Sequence, residues 1–383
     1  MIRPVICGNG VVLLYEQMEQ AFNGIEIWLN FGTGSDPVDC HGMAHLIEHA
    51  IFTCRTKDDL YSYYNSYAKT NKDRLRIYAK AERNVAESAL ESLLLGIRDL
   101  NISDNEFLYQ KQKVLFEIQH ARNSPPLNQL QLAEKYYLSG TGYDRPTVGS
   151  ESLGQADWHG LKEHEMNMLQ SCGMVVSVAG KCNKEKLIQI IEKSADKMNV
   201  VHHTYFPHMN ERFRKVADVP ALLSDDGGTV IWPVYDSGKT NVGNWVCAEM
   251  LYEYIRYCML EYPIQILKVD HLAYMLIAIY LPESNGSASL LYKVVRGLVE
   301  TSPDADVFQK VKAYVHSLYA SKANYPEEIA LFNAQSYFQG LHVDLAEMIA
   351  AIDGLAVNAF EDYIRKMTDE ENEIKVGALL REA

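Results

Sequence analysis

The sequence predicts an α+β fold in two related domains, each a mainly antiparallel sheet packed with helices, and three observations carry that expectation. At 383 residues the chain exceeds what one hydrophobic core usually organises. Short stretches of alternating apolar and polar residues, the period of a strand, are interleaved with stretches of helical period. The order of those stretches then recurs in the second half, as two distant copies of one unit would give. The expected division is a first domain over 1–206, a linker over 207–227 and a second homologous domain over 228–383.

The elements follow in order. Gly10–Tyr15 and Gly24–Phe31 alternate apolar with polar residues and read as a half-buried hairpin. Gly32-Thr33-Gly34-Ser35-Asp36-Pro37 punctuates the chain, and the apolar, proline-free run Gly42–Phe52 reads as a buried helix. Tyr67–Thr70 and Arg74–Ala79 follow as strands of the same sheet. Helical signals run from Glu82 to Leu100 and again after Ser103, where Ser103 and Glu106 have the spacing of a capping box. In that second helix Phe107, Val114 and Ile118 share one face. Met174–Gly180, rich in β-branched residues, feeds the amphipathic stretch Lys184–Met198. Pro207, Pro220 and the polar run Ser224–Gly228 mark the linker. Beyond it come strand-like Thr229–Trp232, a helix over Asn244–Leu260, strand-like Leu272–Leu281 and helices to the end.

Composition excludes several classes. Hydrophobic residues make up 48% and charged residues 22%, which fits neither a disordered nor a fibrous chain. With 36 Lys plus Arg against 50 Asp plus Glu the net charge is −14, so phosphate backbones are repelled and no nucleic-acid partner is expected. Seven cysteines, an odd number without a Cys-x-x-Cys pair, suit reduced thiols in a cytoplasm better than a disulfide framework. Leu272–Leu281 is about half the ~20 residues that a membrane span needs, and the first residues lack the pattern of an export signal, so no membrane insertion is expected. No Gly-x-Ser-x-Gly elbow occurs and no cysteine sits in a nucleophile motif, which argues against covalent hydrolysis.

The candidate chemistry lies in His45-Leu46-Ile47-Glu48-His49. Histidines at i and i+4 share one helical face, close enough for both imidazoles to bind one zinc ion. Glu48, one residue before His49, can reach a water held there and act as general base. The same residues could instead be core histidines beside a salt-bridged carboxylate, although burying them without a metal requires several hydrogen-bond partners. Catalytic zinc takes three protein ligands. Glu117, at the edge of the apolar face of the Ser103-capped helix, is the candidate third, with Glu106 read as a cap and Glu91 as exposed. His120 is either an orienting partner or an exposed residue, and His202, His203 and His208 read as surface histidines.

The chain resembles the inverted zincin metallopeptidases that include pitrilysin, insulysin and mitochondrial processing peptidase, in the two-domain form found in bacteria. The resemblance rests on order and spacing: the opening hairpin, Gly32-Thr33-Gly34-Ser35, the run Gly42-Met43-Ala44-His45-Leu46-Ile47-Glu48-His49, Val114-Leu115-Phe116-Glu117-Ile118, Asp144-Arg145-Pro146-Thr147-Val148-Gly149 and the strand Met174–Gly180. It spans most of 5–200 and, more faintly, 228–370. It implies half of a clamshell-like peptidase with one zinc ion per chain, held by His45, His49 and Glu117, and Glu48 as general base. Tyr67, Ala68, Lys69 and Thr70 would be the edge strand to which peptide substrates add, backbone to backbone. The residues alone read equally well as an ordinary edge protected by Lys69.

Two departures from that family's pattern matter. Its members usually carry a glutamate seven residues before the third ligand, and here Gln110 stands there, able to orient a neighbour but not to carry charge. They also use an arginine and a tyrosine seven residues apart, from the second half of the enzyme, to hold the substrate carbonyl and the developing oxyanion. Here Tyr274 is present, but Leu267 stands where the arginine would be. Loss of one such donor commonly costs ~10²-fold or more. The expectation is therefore a related second subunit that supplies the arginine and tyrosine, in a heterodimer rather than a homodimer. The expected function is zinc-dependent endopeptidase action on short or unfolded peptides, in leader-peptide removal or oligopeptide degradation. The alternative is a non-catalytic peptide-binding or scaffolding subunit of such a heterodimer.

Overall fold

The computed structural model describes residues 3–53, 64–124, 127–128, 130–131, 134–135, 142–194, 228–236, 241–271, 274–282, 288–368 and 374–377. They fall into two packing units, the first drawn from 1–123, 145–207 and 322–338, the second from 124–144, 208–321 and 339–383. Packing thus departs from the linear division expected at 206: a late helix belongs with the first unit and an early segment with the second. The expected linker, 207–227, lies outside the described residues, as do His202, His203 and His208.

The first unit is built on a six-stranded sheet of β1 (Val5–Ile6), β2 (Val12–Gln17), β3 (Phe22–Leu29), β4 (Tyr64–Thr70), β5 (Leu75–Glu82) and β6 (Met174–Gly180), in the order β1-β2-β6-β3-β5-β4. All neighbours are antiparallel except β2 and β6. The hairpin expected of β2 and β3 does not form, because β6 lies between them. Every residue of β6 is buried, and a strand so uniformly apolar or small belongs in the middle of a sheet, covered on both faces. Helices α1 (Met43–Thr53), α2 (Ala86–Arg98), α3 (Asp104–Arg122), α4 (Trp158–Ser171) and α5 (Lys184–Ser194) complete the sequential part of this unit. Their apolar faces join those of the strands in one core, with Ile25, Ile27 and Ile77 from the sheet and Leu46, Leu93 and Val114 from the helices. The helix expected from Glu82 begins only at Ala86, since β5 runs on to Glu82.

The second unit follows with β7 (Gly228–Asp236), α6 (Val242–Cys258), β8 (Gln265–Asp270), β9 (Tyr274–Leu281), α7 (Ala288–Glu300) and α8 (Ala305–Lys322). Next comes α9 (Pro326–Phe338), which belongs to the first unit, before α10 (Leu345–Gly354), α11 (Val357–Met367) and β10 (Ile374–Gly377) complete the second. The second sheet has the order β10-β7-β9-β8, antiparallel throughout. Strand for strand this is the order β6-β3-β5-β4 of the first sheet, so the recurrence seen in the sequence is a recurrence of topology.

Helix α9 explains why β3 is buried along nearly its whole length, against the half-buried expectation. It packs on β2, β3 and β6, with Phe338 edge-on to Trp28 at 5.1 Å between ring centroids. Gly24 permits the approach, for a Cβ there would stand 2.4 Å from the Cα of Glu327. Lys80 reaches Glu327 at 2.5 Å, and the Asn333 amide donates to Glu16 at 2.9 Å. On β3, Glu26 is fully buried but paired, accepting from Nε and Nη2 of the Arg76 guanidinium and from the Trp28 indole N–H. Among the described residues, no helix is long and apolar enough to cross a membrane.

Candidate metal centre

Helix α1 is held at its N-terminus from a distance. The Asp36 carboxylate accepts the backbone N–H of Gly42 at 2.6 Å and of Ala44 at 2.8 Å, satisfying donors that a helix start leaves unpaired. One turn in, His45 is buried and His49 half-buried, their ring centroids 5.0 Å apart. Helix α3 packs against α1, with Val114 and Ile118 buried in the shared core, and Glu117 lies beside both rings. Its Oε2 lies 3.2 Å from His45 Nε2 and its Oε1 3.7 Å from His49 Nε2. One ligand atom from each of the three residues lies within 4.8 Å of the other two.

The outer nitrogens of the two rings are also engaged. His45 Nδ1 is 3.1 Å from the Val148 carbonyl, and His49 Nδ1 is 3.2 Å from Gln110 Oε1. A carbonyl oxygen can only accept, so each Nδ1 carries the hydrogen and each Nε2 presents its lone pair inward when the ring is neutral. The Val148 carbonyl reaches His45 because Gly149 takes a positive φ of 99° and crosses Gly42 closely. A Cβ on Gly149 would stand 2.6 Å from the Gly42 Cα. Two imidazole nitrogens of fixed tautomer and one carboxylate oxygen are the donor set that zinc takes in catalytic sites, so the residues fit the ion that the sequence implies. The Glu117 side chain is 48% exposed, so the site is reached from solvent.

Electrostatics point the same way. Burial opposes charge on His45, but Glu117, Glu48 and the Val148 carbonyl outweigh it and hold its pKa above the usual imidazole value. On His49, burial and the neighbouring His45 prevail and pull the pKa down. The hydrogen bond from His45 is the main influence on Glu117 and, against burial, lowers its pKa. Both shifts favour an imidazolium at His45 beside a carboxylate at Glu117, so each partner stabilises the charge of the other.

The fourth residue of the cluster, Glu48, accepts a hydrogen bond from Thr70 Oγ1 at its Oε2, 2.6 Å away. Thr70 ends β4, which lies at one end of the sheet and pairs with β5 through Tyr67 opposite Tyr78, Ala68 opposite Ile77, Lys69 opposite Arg76 and Thr70 opposite Leu75. Among the described residues no strand pairs with its other side. Beside the cluster an open groove of about 420 Å³ is lined by His49, Tyr109, Gln112, Lys113, Phe116 and Glu117, with Tyr109 and Phe116 both exposed.

The structure thus brings His45, Glu48, His49, Gln110 and Glu117 together and sets Thr70 against them. Glu106 is the reciprocal cap partner of Ser103, and Glu91 pairs with Lys193 at 3.3 Å. His120 is exposed near the end of α3. Leu267 lies on β8 and Tyr274 opens β9, both in the second unit. Sequence reasoning missed Asp36 and Val148. Asp36 caps from six and eight residues upstream, outside the window in which a local cap is recognised, and Val148 acts through its backbone, which no side-chain pattern reveals.

Residues 11–151 match the family model of insulinase, peptidase family M16. No curated protein matches the sequence. Among solved structures, a protease from Helicobacter pylori superposes with a TM-score of 0.81 at 15% identity over 98% of each chain. A peptidase M16 inactive domain from Pseudomonas fluorescens gives 0.79 at 12% identity over 99% of this chain and 98% of that one. A chain of complex III2 from Candida albicans, with Inz-5 bound, gives 0.73 at 13% identity over 99% and 96%. At such identities the likeness to these structures is one of fold. Residues 11–151, the stretch that matches the insulinase model of peptidase family M16, hold both histidines, Glu48 and Glu117.

Proposed function

We propose that this chain is a zinc-dependent endopeptidase that hydrolyses short or unfolded peptides. The observation that carries the reading is the convergence of His45, His49 and Glu117, with Glu48 on the same helix as the two imidazoles. His45, His49 and Glu117 would hold one zinc ion, which when bound supplies a Lewis acid towards water and the scissile carbonyl. Glu48 takes the proton from the attacking water and returns it to the leaving amine nitrogen, so no covalent enzyme intermediate is needed. Gln110 and the Val148 carbonyl keep the two rings in the tautomer that presents Nε2. The outer side of β4, at Tyr67, Ala68, Lys69 and Thr70, receives the substrate backbone as an added strand, and Tyr109 and Phe116 offer apolar surface in the groove beside His49 and Glu117. The same reading places the chain in a reducing cytoplasm, where burial pushes the Cys7 thiol up to about 11 and that of Cys172 up to about 12, so both stay thiols.

Leu267 leaves the oxyanion without the expected arginine, and a related subunit supplies that arginine and a tyrosine in a heterodimer. The test is to purify the chain alone and with a related partner, then follow cleavage of unstructured peptides with and without chelator. Chelator-sensitive cleavage that needs the partner is the expected result, and full activity from the isolated chain would overturn the heterodimer. A second reading, a non-catalytic scaffolding subunit, draws on Gln110 and Leu267. It is favoured instead if the zinc-loaded pair cleaves nothing.

A further inference from the structure

We propose that Thr70 is a positioning residue for Glu48: its hydroxyl, carried by the edge strand β4, sets the orientation of the general-base carboxylate. The proposal rests on the peptidase reading above and gives Thr70 a side-chain role distinct from its backbone role in receiving a substrate strand. Thr70 Oγ1 donates to Glu48 Oε2 at 2.6 Å, at the short end of the range for a hydroxyl–carboxyl hydrogen bond. Thr70 is only 8% exposed, so water competes little for that bond.

The aim of the hydroxyl is set by three levels of structure. Alternation along β4 puts Ser66, Ala68 and Thr70 on the side towards α1, whereas Tyr67 and Lys69 are exposed. Pairing of Thr70 with Leu75 of β5 fixes the register, and a β-branched side chain is stiff at χ1. Glu48, by contrast, has three rotatable bonds, and without a partner its carboxylate samples several rotamers. With Oε2 held by Thr70, Oε1 is the oxygen left to take the proton. The strand proposed to receive the substrate backbone therefore also holds the base, so docking and proton transfer share one rigid element.

The experiment compares wild type, Thr70→Val and Thr70→Ser, each purified with the partner subunit. Cleavage of an unstructured fluorogenic peptide gives kcat and KM, elemental analysis gives zinc content, and crystal structures of the zinc-loaded proteins give the Glu48 side chain. The expected result is that Thr70→Val lowers kcat about 10-fold or more, with KM and zinc content close to wild type, and that Thr70→Ser restores most of it. In the Thr70→Val crystal the Glu48 carboxylate turns away or splits between conformers. A wild-type kcat in Thr70→Val, a Thr70→Ser variant as impaired as Thr70→Val, or an unmoved Glu48 in the Thr70→Val crystal would each overturn the proposal. If the wild-type pair binds zinc but cleaves nothing, the peptidase reading falls, and the Glu48 position in the Thr70→Val crystal still decides the Thr70 contact.

Discussion

The two sheets share one strand order but equip the same corner differently. In the first unit the helix after β3 meets the edge strand β4 through Glu48 and the Thr70 hydroxyl. In the second the corresponding helix, α6 after β7, meets the corresponding edge strand β8 through Glu249 and Lys268, whose ammonium lies 2.8 and 2.9 Å from the two carboxylate oxygens. Asp270 adds a second carboxylate 3.6 Å from Lys268. Burial works against the charge on Lys268, yet Glu249 and Asp270 outweigh it and hold its pKa above the usual value. One framework thus brings an acid to an edge strand twice, half-buried as Glu48 and buried as Glu249. Where the partner is a neutral hydroxyl, the edge strand supplies the acid with a hydrogen bond but no counter-charge. Where the partner is an ammonium, the cation is built into the chain and nothing is left to recruit.

The largest expected effects are those that turn this difference into function. Glu48→Gln keeps the hydrogen-bonding shape and the zinc but lowers turnover by about 10³-fold, as loss of a general base does, whereas Glu249→Gln leaves turnover within about twofold. His45→Ala and Glu117→Ala lose zinc as well as turnover. Elemental analysis beside a peptide-cleavage assay reads all four, and a Glu48→Gln variant that still turns over would remove Glu48 from the chemistry.

How much of this was legible in the sequence differs between the two corners. His45, Glu48 and His49 declare themselves because their spacing is local to one helix, and Glu117 could be found because the Ser103–Glu106 cap fixed the start of its helix and hence its face. The Glu249–Lys268 pair could not, since its partners lie 19 residues apart on elements whose pairing the sequence does not fix. The same limit hid the place of β6 between β2 and β3, and the cover that α9 gives β3 from some three hundred residues along the chain. The Glu26–Arg76 pair on that covered face was hidden for the same reason, because alternation alone would send Glu26 to solvent.

Breaking the built-in cation should cost stability and not chemistry. Lys268→Met leaves Glu249 buried without its counter-charge, and the second unit is expected to lose about 3 kcal/mol in denaturant unfolding. The double variant Lys268→Met/Glu249→Leu removes both charges and should regain most of that loss, because replacing a buried pair with apolar groups is often neutral. A single variant that costs nothing would mean the pair is idle, and the contrast between the corners would then be one of sequence only.

A smaller effect comes from a buried acid that has no such cation. Glu165 of α4 is 3% exposed, and its Oε1 has no hydrogen-bond partner among the described residues. Burial pushes its pKa up to about 8, with Lys162 opposing and Asp99 adding to the rise. Below the ordinary carboxyl value Glu165 is protonated in both folded and unfolded chains and pH does not matter. Above that value the unfolded chain releases the proton while the folded chain keeps it until about 8, so stability falls as pH rises through this window. Glu165→Gln fixes the neutral form and removes the dependence. Its unfolding free energy should therefore gain on wild type by about 1 kcal/mol per pH unit between pH 5 and 8, a slope close to the limit for one proton. Urea unfolding of both proteins across that range measures it. A difference that stays flat with pH would show that Glu165 ionises at its ordinary value in the folded protein, and that its burial without a bonded cation is not what separates it from Glu249.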